Sequence, residues 1–326
     1  MKKVFASMGA VLACACMTSG AWGAGADTYP DRPIMLVVPS PAAGGSDLIA
    51  RLYADELGKY FKQSVIVDNK PGANGIIGVD SVARAAPDGY RVLFTYAAAV
   101  VVNPSLYKKV PYEPLRDLIP VAQIGNTGTL LVVNNDLPVQ SVPEFVGYAR
   151  AHPDRVSYCS WGAGSGGHLA MESLVHQARI KVVHVPYKGT APCLQALMSG
   201  EVQAAFSDVS STLELVKAGR MRPIAHSGVK PLATLPNVPS LTASGYPFNI
   251  TTWYGIFVPA KTDPAIVNQL NKAVYSITNM PRIKQRLSDL NLTELPEPTP
   301  EQFRETVRSD MERWRKLIKE INIRLD

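Results

Sequence analysis

Ser165 and His168 lie three residues apart in the segment 156–169, VSYCSWGAGSGGHL, and a serine beside a histidine is the pairing that acyl transfer would use. A hydrolase elbow reads G-x-S-x-G, and its histidine arrives from a distant part of the chain. Here Ala163 occupies the first glycine position and His168 follows only one helical turn after Ser165. Ser165 is therefore read as a helix N-cap or a hydrogen-bond donor to a ligand, and His168 as a first-turn residue lining a cleft. Gly162, Gly164 and Gly167 spell G-x-G-x-x-G, which after a strand and before a helix can cradle a pyrophosphate. No acidic residue stands near position 187, where the ribose of a dinucleotide would be read, so no cofactor is expected. His152, His176, His184 and His226 lack the spacing and companion carboxylates of a metal centre, and no metal is expected.

The chemistry left to this segment is anion capture by the main chain. An apolar run breaks into four glycines and a serine just before an amphipathic helical pattern. The first N–H groups of a helix have no partner inside it, and the helix dipole adds about half a positive charge there. A second segment, 36–48 (LVVPSPAAGGSDL), repeats the design, with Ser46 or Asp47 as candidate N-cap. Neither glycine-rich loop contains an arginine, so a bound anion would be held by backbone donors from two sides. The first loop contributes Pro39, Ser40, Ala43, Gly44, Gly45, Ser46 and Asp47 as candidates. The second contributes Trp161, Gly162, Gly164, Ser165, Gly166, Gly167 and His168. Trp161 either covers an apolar ligand body or packs beneath its loop.

Such loops need parallel βαβ units to carry them. Strands are expected at 34–38, 65–67 and 92–95, with helices at 48–61 and 76–84 between them; Leu52, Leu57 and Phe61 are expected to face a core. Ligands of open α/β sheets lie beyond the carboxyl ends of strands. Thr95, Tyr96 and Ala97 thus join the candidates, although Tyr96 reads equally as core. The pattern restarts with strands at 121–124 and 130–133 around a polar break at 125–128, where the chain is expected to cross between domains. A helix with capping-box spacing runs from Ser141 to Arg150. Strand 182–185, the turn Tyr187, Lys188, Gly189, Thr190, helix 191–199, strand 202–206 and helix 210–218 complete a second set. Asp208, at the end of a strand, either accepts a hydrogen bond from a ligand or caps the following helix. The apolar run 251–258 (TTWYGIFV) is expected to return to the first set. A last helix starts at Thr299 and carries a stripe of Phe303, Val307, Trp314, Ile318 and Ile321.

At 326 residues the chain suits two domains, and the fold class is α/β. Lys2 and Lys3, an apolar segment 4–17 and small residues to Ala26 read as a leader cleaved before Asp27, which implies export to the periplasm. A lipoprotein acylated at Cys14 is the alternative, with Leu12 standing where a small residue is usual. The chain carries a formal charge of +6, and loss of Lys2 and Lys3 leaves +4, too little to suggest nucleic acid. Cys14 and Cys16 fall in the leader, which leaves Cys159 and Cys193 as the mature cysteines. Both lie at cleft-side turns of neighbouring strands, and a disulfide between them is expected.

Taken together, YPDRPI, VVPSPAAGGSDLIAR, VDNKPGANGIIGVD, PDGYRVLFT, GAGSGGHLAMESL, HVPYKGTAPCLQAL and TTWYGIFVPA resemble, over the whole mature chain, the extracytoplasmic substrate-binding proteins of tripartite tricarboxylate transporters, also called Bug receptors. The resemblance implies a two-lobed type II periplasmic-binding-protein fold, its lobes joined by two crossing strands and closing over a small organic anion, commonly a carboxylate. Lobe 1 would comprise 27–124 with 254–326, and lobe 2 would comprise 125–253. No catalysis is implied; the partners would be the membrane subunits of a tripartite tricarboxylate transporter, served by a monomer. The family's binding loops fall on 39–47, 95–97, 162–168, 187–190 and Asp208. The chain departs from the family at Ser40, where an aromatic is frequent, and at Trp161, where a small residue is usual; together these suggest an aromatic or hydrophobic carboxylate. An exported α/β hydrolase and a ligand-sensing receptor of the same fold are the alternatives.

Overall fold

The computed structural model describes residues 29–228, 231–232, 234–248, 252–290, 292 and 298–325. The leader 1–26, Cys14 and Thr251 of the long strand lie outside them.

Two five-stranded sheets carry the chain. The first has the order β2-β1-β3-β10-β4, from β1 (Ile34–Val38), β2 (Val65–Asn69), β3 (Arg91–Tyr96), β4 (Leu118–Thr127) and β10 (Thr252–Pro259). The second repeats that plan as β7-β6-β8-β5-β9, from β5 (Thr129–Val133), β6 (Ser157–Ser160), β7 (Val183–Pro186), β8 (Ala204–Asp208) and β9 (Arg222–His226). In each sheet three strands run parallel, as the alternating pattern predicts. The remaining two join through antiparallel pairing, β10 with β3 and β4 and β5 with β8 and β9, so that one strand in each sheet, β10 or β5, opposes the other four. The polar stretch 125–127 does not break the strand as expected. It stays in β4 because Gly125, Asn126 and Thr127 pair with Tyr254, Trp253 and Thr252, so the chain changes sheet at Gly128 alone.

Helices α1 (Gly45–Phe61), α2 (Ile76–Ala83), α3 (Asn103–Leu106), α4 (Pro114–Asp117), α9 (Pro264–Thr278), α10 (Pro281–Asp289) and α11 (Pro300–Ile321) accompany the first sheet. The second is accompanied by α5 (Val142–Ala151), α6 (Gly166–Ala178), α7 (Thr190–Ser199) and α8 (Val209–Lys217). Helix α1 turns Ile49, Ala50, Tyr53 and Leu57 into the core, with Leu52 and Phe61 only partly buried beside them. Thr299 caps α11 through a capping box with Gln302, and Phe303, Val307, Trp314 and Ile318 are buried along its inner face. Asp310 shares that face because Trp253 Nε1 donates to it at 2.7 Å and Arg313 pairs with it. Trp314 meets Phe248 edge-on, so α11 packs against residues that follow the second sheet as well as the first. On the far face of the second sheet Cys159 and Cys193 form the expected disulfide, Cα to Cα 5.5 Å, joining the end of β6 to the first turn of α7. Among the described residues no helix is long and apolar enough to cross a membrane.

Candidate functional site

The loop after β1 is held from within. Pro39 is buried, and the Ser40 carbonyl accepts a hydrogen bond from Asn69 Nδ2 at 3.1 Å. Neither Ser46 nor Asp47 caps α1. Gly44 occupies the N-cap with no side-chain bond, and Gly45, Ser46 and Asp47 form the first turn. Asp47 is used otherwise: its carboxylate accepts from the Ala43 N–H at 2.9 Å, Arg51 Nε at 2.8 Å and Asn69 Nδ2 at 3.0 Å. Burial alone would raise this carboxyl, but these bonds hold it below the usual carboxylate range. Ala43 sits at φ 63°, a left-handed conformation that the Asp47 bond helps fix. The Asp47 carboxylate therefore braces the loop.

The second loop rests on a column of rings. Ser165 is the N-cap of α6 and accepts the His168 N–H, one of the two roles expected of it. His168 Nδ1 accepts the Gly164 N–H at 2.9 Å, so its ring proton lies on Nε2. Its ring stacks on His184 at 4.0 Å between centroids, and His184 stacks on Tyr158 at 4.8 Å. Ser160 Oγ gives its proton to the Gly162 carbonyl, which leaves His184 Nε2 to donate to Ser160 Oγ at 2.7 Å. Burial, and then the neighbouring His184, push His168 down to about 3; burial pushes His184 down to about 4. Both rings are neutral at physiological pH. A Ser165–His168 dyad is not assembled, because Ser165 Oγ and His168 Nδ1 are both spent on the backbone of their own loop. Gly162 and Gly164 take φ 151° and 78°, values that favour glycine. The half-buried Trp161 lays its six-membered ring on the α6 start. A β-carbon built on Gly166 would meet it at 3.6 Å, and one on Gly167 at 2.4 Å.

The two lobes meet across these loops. Asn74 Nδ2 donates to the Gly164 carbonyl at 3.0 Å. A β-carbon on Gly45 would stand 2.7 Å from Ser210 Oγ, and one on Gly189 3.7 Å from Pro41 Cγ. The starts of α7 and α8 thus face the loop before α1. Like α1, they begin with no side-chain cap, whereas α6, which also starts at this edge, is capped by Ser165. Ser40 Oγ and Ser207 Oγ, at the carboxyl ends of β1 and β8, are buried without a hydrogen-bond partner.

Asp208 ends β8 opposite Thr129 and stands at the N-cap position of α8, yet its side chain accepts no bond from that helix. Among the described residues no hydrogen bond or ion pair reaches its carboxylate, and burial pushes it up to about 6. Tyr96 from β3 and Tyr254 from β10 lie within its field. Both hydroxyls are raised well above their ordinary value, first by burial and also by the Asp208 charge, while Ser46 hydrogen-bonds Tyr254. Thr95 and Ala97 flank Tyr96 and are buried. Thr190 opens α7, Gly189 precedes it at φ 111°, and Lys188 is exposed. Tyr187 reaches away from this group, its hydroxyl donating to Glu201 at 2.8 Å beyond the far end of α7. Among the described residues no group of three or more His, Cys, Asp or Glu is arranged to hold a metal ion.

Sequence reasoning missed Tyr254, Asn74, Ser210, Ser211 and His184. Tyr254 had a signal, a hydroxyl near the start of an otherwise apolar strand. Asn74, Ser210 and Ser211 reach their partners only when the lobes are brought face to face, whereas His184 meets His168 and Tyr158 within its own lobe, through the pairing of β7 with β6.

The pattern for the tripartite tricarboxylate transporter family receptor matches residues 49–323. The protein BugT of Bordetella pertussis is 32% identical over 302 residues, covering 92% of each chain. An R. palustris protein solved with adipate superimposes with a TM-score of 0.87 at 31% identity, covering 91% of this chain and 99% of that one. MatC from Rhodopseudomonas palustris, solved with bound malate, gives 0.84 at 29% identity, covering 89% and 100%. A shared two-lobed fold, and a family match running from the second turn of α1 past the end of α11, place this chain in the tripartite tricarboxylate transporter receptor family.

Proposed function

We propose that this chain is an exported receptor that captures a small organic carboxylate between its lobes and presents it, chemically unchanged, to the membrane subunits of a tripartite tricarboxylate transporter. The observation that carries this reading is the set of uncapped helix starts, α1 against α7 and α8, facing one another across the lobes. Unpaired N–H groups and converging helix dipoles suit a carboxylate without a basic side chain. Buried, unbonded Ser40 Oγ and Ser207 Oγ supply further hydrogen-bonding capacity at the strand ends. The adipate and malate bound to the two structural neighbours support the same ligand class.

In this reading the leader 1–26 is removed, the protein acts in the periplasm as a monomer, and it needs neither cofactor nor nucleic acid. Lobe 1 comprises 27–127 with 252–326 and lobe 2 comprises 128–251, boundaries moved from the expected 124/125 and 253/254 because Gly125, Asn126 and Thr127 pair with β10, which starts at Thr252. The ligand-binding residues are the loops 39–47, 95–97, 161–168 and 187–190 with Asp208, Tyr187 offering only its backbone because its hydroxyl is tied to Glu201. The indole of Trp161, packed on Gly166 and Gly167, serves first to support the α6 start, and a flat ligand body would meet only what that packing leaves free. Protein purified without added ligand and denatured should release a stoichiometric organic acid, identified by mass spectrometry. A stoichiometric neutral or cationic compound overturns the reading.

A further inference from the structure

We infer that Asp208 reads a hydrogen-bond donor on the ligand, so that the receptor selects hydroxy- or amino-substituted carboxylates over unsubstituted ones. The inference rests on the carboxylate reading above and narrows it.

An aspartate at an N-cap ordinarily accepts a bond from the helix it precedes. Asp208 holds that position, with φ −59° and ψ 136°, and makes no such bond. Its own carbonyl accepts Thr212 Oγ1 at 2.6 Å, so the first turn of α8 is held without the carboxylate. No cation among the described residues neutralises it. It ends β8 two residues before Ser210, whose Oγ faces Gly45 of the opposite lobe, its charge is felt by the Tyr96 and Tyr254 hydroxyls of that lobe, and the buried Ser207 Oγ is beside it in sequence. The Tyr254 hydroxyl is already engaged with Ser46.

An ionised carboxylate can only accept hydrogen bonds. It repels a second carboxylate placed against it and rewards a hydroxyl or an ammonium. The uncapped starts of α1 and α7 attract one anionic group, and Asp208, at the start of α8, tells apart what the rest of the ligand carries. A site built to bond a donor discriminates against the analogue lacking it, because its own polar group is then left unpaired. Hydrogen bonds to charged groups correspond to about tenfold to a hundredfold in affinity.

The test is calorimetry at pH 8, where Asp208 is ionised, with three matched sets: succinate, malate and aspartate; glutarate, 2-hydroxyglutarate and glutamate; 3-phenylpropanoate, phenyllactate and phenylalanine. Within whichever set binds, the wild type should favour a hydroxy or amino member over the unsubstituted acid at least tenfold. Which of the two leads distinguishes a hydroxyl from an ammonium partner. Asp208→Asn, nearly isosteric and without charge, should bring that ratio to within about threefold, chiefly by tightening the unsubstituted acid. A wild type indifferent to the donor refutes the inference without any variant. A ratio unchanged in folded Asp208→Asn refutes it as well. In both cases carboxylates still bind and the broader reading survives; if no member of any set binds, the carboxylate reading fails and this inference with it.

Discussion

Gly45→Val tests whether closure of the lobes brings α1 against α8. A β-carbon at Gly45 would lie 2.7 Å from Ser210 Oγ, 3.3 Å from Ser211 Oγ and 3.7 Å from the Tyr254 hydroxyl. The last is an ordinary contact within the first lobe; the first two belong to the opposite lobe, and valine adds two γ-methyl groups to the overlap. Overpacking of this kind costs about 1 to 3 kcal/mol. Because the clash exists only when the lobes meet, the cost falls on the closed, ligand-bound form and leaves each lobe intact. The dissociation constant for a carboxylate should rise about fivefold to a hundredfold, while Tm without ligand moves by no more than about 3 °C. Gly44→Ala is the control. Its φ is −84° and its nearest new contact is the Pro41 carbonyl at 3.6 Å, so binding should be unchanged. Calorimetry and thermal denaturation read both quantities. Gly45→Val binding within twofold of the wild type, with Tm preserved, would refute the assigned meeting of α1 and α8.

Gly167→Ala should act on the fold itself. Its β-carbon would stand 2.5 Å from the Phe206 carbonyl and 2.4 Å from the Trp161 ring, and the carbonyl belongs to a central strand that cannot swing aside. Tm is expected to fall by about 3 to 10 °C, and an unchanged Tm contradicts this packing. Cys193→Ala opens a cross-link spanning 34 residues and should lower urea-unfolding stability by about 4 kcal/mol in the chain-entropy account. Two free thiols in denatured, unreduced wild type would remove the basis for that expectation. Acid should destabilise the protein. His168 and His184, held at about 3 and about 4 in the fold, gain protons on unfolding below about pH 6.5, so stability present at neutrality is lost as pH falls toward 4. Asp208, raised to about 6, and Asp310, also raised by burial, oppose this over the lower part of the window, while His226, lowered by burial, adds to the loss, so two groups stand against three. Tm should therefore drop between pH 7 and 4.5 and drop less in His184→Gln; a rise over that window runs against this account.

Much of the fold could be read from periodicity. Alternating apolar runs located the parallel strands, and Ser141 and Thr299 announced α5 and α11 through their capping spacing. Where reading failed, tertiary pairing overrode local chemistry. Gly125, Asn126 and Thr127 look like a turn yet remain in β4 because β10 supplies partners for each. Asp47 looks like a cap, but Gly44 leaves the N-cap free of any side chain, and Asp47, one turn in, bonds back to Ala43. The glycine-rich loops were legible because their composition is local. The meeting of Gly45 with Ser210 and of Gly164 with Asn74 was not, since each joins residues from different lobes and no spacing along the chain encodes it.

The most direct measurement is a calorimetric titration of the purified wild-type protein with a panel of mono-, di- and tricarboxylates, followed by recovery of the titrated compound. The account predicts that at least one carboxylate binds saturably with one site per chain and is recovered unchanged. Binding by none of them below about 1 mM, or recovery of a converted product, would contradict it.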